Sequence, residues 1–122
     1  MSGSWQMDIA VPRSGAKQFT LLARDVNGDP VNLTGIDAAM EFREQSGDAS
    51  TIAVAGIETS RDVTGVVLTD ADNGQVLVSI YGSIFGAVEG QYEVVRLSHK
   101  IRFTKAGESP LLIYGQINLL PE

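Results

Sequence analysis

The chain reads as an all-β domain, a sandwich or small barrel of about seven or eight short strands with at most one helical turn. Three observations predict this. Apolar residues recur with period two rather than 3.6 along most of the sequence. Turn-forming clusters such as Asp25-Val26-Asn27-Gly28-Asp29-Pro30 and Asp70-Ala71-Asp72-Asn73-Gly74 break the chain at fairly regular spacing. No long amphipathic helical stretch competes with them.

The elements follow in order. Met1 to Ser4 is expected to be a loose tail. In Trp5 to Val11, the side chains of Met7, Ile9 and Val11 alternate with Gln6, Asp8 and Ala10. This segment is either an extra edge strand or an arm that docks on a neighbour. Lys17 to Arg24 is a strand with Phe19, Leu21 and Ala23 on one face. A short strand over Val31–Leu33 follows the Asn-Gly turn and Pro30. Ile36, Ala38, Met40 and Phe42 alternate with Asp37, Ala39, Glu41 and Arg43, the clearest half-buried strand in the chain. Gln45-Ser46-Gly47-Asp48 reads as a polar loop, and Thr51–Glu58 and Val63–Leu68 as strands. Gln75–Tyr81 aligns Val76, Val78 and Ile80. Ser83–Val88 is expected to form a helical turn. Tyr92 to Phe103 is a long strand, Lys105–Pro110 a hairpin loop, and Leu111–Leu120 the closing strand. The domain division is a tail or arm over residues 1–16 and a sandwich over 17–122.

The 122 residues suit one domain, large enough to bury a core unaided. The absence of cysteine removes disulfides, thiolate metal sites and cysteine nucleophiles. No secretory signal is visible, and no stretch approaches the roughly 20 apolar residues that span a bilayer. A net charge of −6 repels a phosphate backbone on average. The one basic cluster, Arg96, His99, Lys100, Arg102 and Lys105, is flanked by Glu89, Glu93 and Glu108 and reads as a solvated strand face.

No reactive constellation emerges. Asp25, Asn27 and Asp29 alternate like calcium ligands, but position six from Asp25 is Pro30 where the EF-hand loop needs glycine. From Asp70, position twelve is Tyr81 where it needs glutamate. Both loops read as Asx-rich turns. The lone histidine, His99, neighbours Ser98, but adjacent strand residues face opposite ways, so the two cannot pair; His99 reads as a surface strand residue. There is no nucleophile elbow or phosphate-cradling loop. Fifteen acidic residues allow a carboxylate pair by chance, but aromatics at 7% are few for a glycan site. The expectation is therefore a protein without catalytic residues, cofactor or metal.

Apolar surface is what the chain offers instead. In the closing strand, Leu112, Tyr114 and Leu120 either lie buried in a two-sided core strand or face a partner subunit. With Trp5, Met7, Ile9 and Val11 they make up the expected protein interface.

Four segments together carry a resemblance. Asp25-Val26-Asn27-Gly28-Asp29-Pro30-Val31-Asn32-Leu33-Thr34-Gly35 leads into the alternating strand ending at Arg43. Asp72-Asn73-Gly74-Gln75-Val76-Leu77-Val78-Ser79-Ile80, Gly90-Gln91-Tyr92-Glu93-Val94 and Leu112-Ile113-Tyr114-Gly115-Gln116-Ile117-Asn118-Leu119 follow in order. Over about residues 17 to 120 the chain resembles tailed-bacteriophage and prophage virion proteins with an immunoglobulin-like β-sandwich, as in the N-terminal domains of baseplate upper proteins. The resemblance implies an immunoglobulin-like antiparallel sandwich and a virion role at the tail, neck or baseplate. Its partners would be other virion proteins, in several symmetric copies assembled in the host cytoplasm, with no nucleic acid or membrane contact. The alternatives are a capsid decoration protein and a carbohydrate- or ligand-binding module.

Overall fold

A computed structural model describes residues 3–44 and 51–121. Nine strands form among these residues: β1 (Gly3–Gln6), β2 (Ile9–Pro12), β3 (Ala16–Leu22), β4 (Asp37–Glu44), β5 (Thr51–Gly56), β6 (Gly65–Asp70), β7 (Gln75–Tyr81), β8 (Val95–Thr104) and β9 (Leu111–Leu120). The only helical pieces among them are two 3-10 turns, Ala71–Asn73 and Gly82–Phe85. The second overlaps the helical turn expected over Ser83–Val88 but starts at Gly82 and stops at Phe85, with Gly86 as its C-cap.

The strands stack as two sheets. One runs β1-β9-β8-β4-β5, with β2 also on β9; the other runs β3-β7-β6. Taking β1 and β2 as the split first strand, chain order places the second, sixth and fifth strands in one sheet. The last, seventh, third and fourth lie in the other. This is the strand assignment of an immunoglobulin-like sandwich with one added strand next to the third. Among the described residues, the pairings between these strands are antiparallel except those of β1 and β2, which run parallel to β9.

Period two explains the core. Ala38, Met40 and Phe42 of β4, Leu97, Ile101 and Phe103 of β8, and Ile113, Ile117 and Leu119 of β9 line one sheet's inner face. Val66 of β6 and Val76, Val78 and Ile80 of β7 meet them from the other. Phe85 closes one end, its ring edge-on to Phe42 with centroids 5.3 Å apart. Both turn glycines that the sequence flagged take the left-handed conformation, Gly28 at φ +83° and Gly74 at φ +75°.

Of the two alternatives for Trp5–Val11, the edge strand is the one that forms, as two pieces on β9, and Ile9 and Val11 are buried in the core. The sheet thus includes residues on both sides of the expected division at 16. Three expectations are corrected. Val31–Leu33 makes no strand: the Val31 amide donates to Ala23 O (2.9 Å) and the Leu33 amide to Ala71 O (2.8 Å), tying the segment to neighbouring turns. The long strand starts at Val95 and not at Tyr92, because the Glu93 amide donates to Gly90 O in a turn (3.0 Å). Strand β5 ends at Gly56, after which Ile57 bridges across to Val66 of the other sheet and the two sheets meet. The expected loop Gln45–Asp48, with Met1 and Ser2, lies outside the described residues.

Candidate protein interface

The first strand breaks in two at Met7–Asp8, and the break is built from three contacts. The Met7 amide donates to Tyr114 O (2.8 Å), the Gln116 amide donates to Asp8 Oδ1 (2.9 Å), and His99 Nε2 donates to Met7 O (2.6 Å). Gly115 makes room for them: a Cβ built there would sit 2.3 Å from Met7 O and 2.8 Å from Asp8 Oδ1.

His99 is therefore not a surface residue. It is 2% exposed, on the same inward face as Leu97 and Ile101. Burial lowers its pKa from the ordinary value of 6.5, outweighing the Met7 hydrogen bond and the Asp8 charge, both of which raise it. Below 6.5 an unfolded chain takes up a proton that the folded one resists, so this contribution to stability is present above 6.5 and is lost as pH falls. We expect urea midpoints to drop from pH about 8 to about 5 by more in the wild type than in His99→Gln, which keeps a donor near Met7 O without titrating. Equal drops in the two proteins would show that His99 is not the group responsible.

The expected interface residues separate into two groups. Ile9 and Val11 are core residues and present no surface, because their side of β2 faces the opposite sheet. Met7 and Leu112 are partly buried. Trp5, Tyr114 and Leu120 are exposed. The closing strand is buried on one face only: Ile113, Ile117 and Leu119 point inward while Tyr114 and Leu120 point out. Tyr114→Asp is accordingly expected to change folding stability by less than about 1 kcal/mol, measured by urea unfolding. A loss above about 3 kcal/mol would place the ring in the core.

Trp5 does not stand alone. With Leu22 it is 55% exposed, Val26 is fully exposed, and all three line one cleft of about 850 Å³ at an end of the sandwich. The floor is apolar, formed by Leu33, Phe103 and Ile113 among others, and Arg24, Asp25 and Glu108 stand around it. The cleft opens between β1 and the end of β3, each paired on one side only. Periodicity did not reveal it. The signal available in the sequence was Val26, an apolar residue inside a turn of aspartate, asparagine and glycine.

No family model matches the chain. No curated protein matches it either. Among solved structures, it is similar to the ZIG-8–RIG-5 IG1-IG1 heterodimer at 11% identity and TM-score 0.40, covering 95% of this chain and 83% of that one. It is similar to murine CRIg at 10% identity and TM-score 0.40, covering 94% and 92%, and to the RIG-5 IG1 homodimer at 8% identity and TM-score 0.37, covering 93% and 88%.

The opposite end of the sandwich carries the other prominent apolar pair. In the loop before β8, Tyr92 is 78% and Val94 54% exposed. They lie two residues apart, with Glu93 between them.

The acidic turns are occupied by their own chain. Asp25 Oδ1 accepts from the amides of Asn27 (2.9 Å) and Asp29 (3.0 Å). Asp72 Oδ1 accepts from Thr34 Oγ1 (2.7 Å), and Asp70 Oδ2 from Asn73 Nδ2 (3.0 Å). The Asp25 contacts are the Asx turn the sequence predicts. The second loop differs, its aspartates bonding to side chains around the Ala71–Asn73 3-10 turn. Among the described residues, no three His, Cys, Asp or Glu side chains gather as a metal site. Of the basic cluster, Arg96, Lys100 and Arg102 are exposed on the outer face of β8, while His99 points inward.

Proposed function

We propose that this chain is a non-enzymatic structural subunit of a tailed-phage particle, at the tail, neck or baseplate, acting as an adaptor or accessory piece through protein–protein contacts. One observation carries it. A sandwich with a complete core still leaves Trp5, Leu22 and Val26 together around an apolar cleft at one end. Clustered exposed side chains of this size favour a covering partner. Motif order along residues 17 to 120 supports the phage assignment. A glycan-binding face would gather aromatics on one surface. Here Trp5 is paired with inward-facing Ile113, Tyr114 projects from the outer face, and Tyr92 lies at the other end.

The test is quantitative mass spectrometry of phage particles purified from the strain that encodes the chain. The expected result is this protein in fixed stoichiometry with the tail proteins. Its absence from intact particles would overturn the proposal.

A further inference from the structure

Strand β8 carries three exposed cations on the outer face of the larger sheet, Arg96, Lys100 and Arg102. Six residue steps separate the first from the last, roughly 20 Å along a strand. Arg43 of β4 stands beside the gap in this stripe, since it pairs with Ser98. The glutamates that flank the cluster in the sequence do not share the face: Glu89 and Glu93 lie in the loop before β8, and Glu108 in the hairpin after it. Among the described residues, the carboxylates on that side of the strands are Asp37 and Glu41. Four cations thus stand against two carboxylates, on a chain whose net charge is −6.

The register explains why the stripe finds no counter-charge at home. Arg102 lies between Leu112 and Ala39, and Arg96 beside Asn118, none of them acidic. Lys100 lies between Tyr114 and Glu41, but Glu41 is held by Arg43 Nε. Asp37 Oδ1 accepts from the Ala38 amide. Among the described residues, the side chains of Arg96, Lys100 and Arg102 make no hydrogen bond or ion pair. Arg13, Arg24 and Lys105, by contrast, are each bonded to a backbone carbonyl and hold loops of this chain in place.

We propose that this stripe docks an acidic surface of a different protein subunit, whose carboxylates meet Lys100 and Arg102 while the half-exposed ring of Tyr114 packs beside them. The inference rests on the structural-subunit reading for the presence of such a neighbour. Charge decides the class of occupant. A symmetric pair of copies joined through this face would set one cationic stripe against the other. The acidic turns of a second copy are poor counterparts, because Asp25, Asp70 and Asp72 are engaged within their own chain. Nucleic acid fits less well: the overall negative charge repels phosphates beyond the stripe, and Tyr114 is the one aromatic side chain on this face among the described residues. A carboxylate-bearing protein surface needs only the local excess of positive charge.

Carbodiimide crosslinking of purified phage particles, read by mass spectrometry, tests it, since the reagent joins a lysine to a carboxylate in contact with it. Lys100 is expected to link to an aspartate or glutamate of another virion protein. In particles assembled with Lys100→Glu/Arg102→Glu in place of the wild-type chain, copies per particle are expected to fall about tenfold or more. Both positions are exposed, and an unchanged urea midpoint confirms that the variant folds. Lys17→Glu/Arg61→Glu makes the same change of charge at exposed positions elsewhere and should leave incorporation unchanged. An equal loss in that control would assign the effect to overall charge and overturn the docking surface. Particles that contain the chain with Lys100 unlinked also overturn it and leave the structural-subunit reading standing, whereas absence of the chain from particles overturns both. Links from Lys100 to this chain's own peptides alone, or a gel shift of a single-stranded oligonucleotide that Lys100→Glu/Arg102→Glu abolishes, would give the stripe to the chain itself or to nucleic acid and overturn the acidic subunit as its occupant.

Discussion

Truncating Phe42 to alanine is expected to cost about 3–5 kcal/mol of folding stability. The side chain is completely buried in the second half of β4, and its ring packs edge-on against Phe85. Removing it opens a cavity between two sheets held by β4–β8 pairing on one side and β4–β5 pairing on the other, so the walls have little freedom to collapse. It also frees the Gly82–Phe85 turn, since Phe85 is that turn's buried anchor. Urea unfolding measures the loss. A cost under about 1 kcal/mol would mean that the two rings do not share the core as described.

Placing valine at Gly115 is expected to cost about 2–4 kcal/mol, concentrated at the start of the chain. The first added carbon falls 2.3 Å from Met7 O, a backbone atom that cannot swing aside as a side chain could. Relief requires Met7 and Asp8 to retreat, which breaks the hydrogen bond from His99 Nε2 and the one from the Gln116 amide. Hydrogen exchange should then rise over β1 and β2 more than over β4 and β8. The emission of Trp5, the only tryptophan, should shift with it. Uniform loss of protection across both sheets would show that the crowding spreads beyond the β1–β9 seam.

These two sites illustrate what was legible in the sequence and what was not. Phe42 belongs to a strict alternation from Ile36 to Arg43, and alternation alone placed it inside a sheet; the same logic found β7 and β9 at their observed limits. Gly115 sat in a recognisable closing strand, but the reason for a glycine there is a backbone more than a hundred residues away. Local pattern carries no trace of that neighbour. His99 failed for a related reason. Period two puts it on the face of Leu97, yet which face is inner depends on which side the second sheet covers. Ile9 and Val11 were seen as one apolar face, and whether a neighbour or the chain's own sheet covers that face is decided by pairing with β9. The cleft was invisible because its walls come from β1, the end of β3 and the starts of β7 and β9, which only the fold brings together.

The parallel pairing of β1 and β2 with β9 has a mechanical consequence. Gly3 pairs with Leu111 and Pro12 with Leu120, so the two ends of the chain leave the sandwich at opposite poles. Tension applied between them acts along the strands and loads the whole seam in shear, where its hydrogen bonds must yield together instead of unzipping one after another. Under such a load the domain's resistance would be set by how slowly this seam ruptures more than by its equilibrium stability.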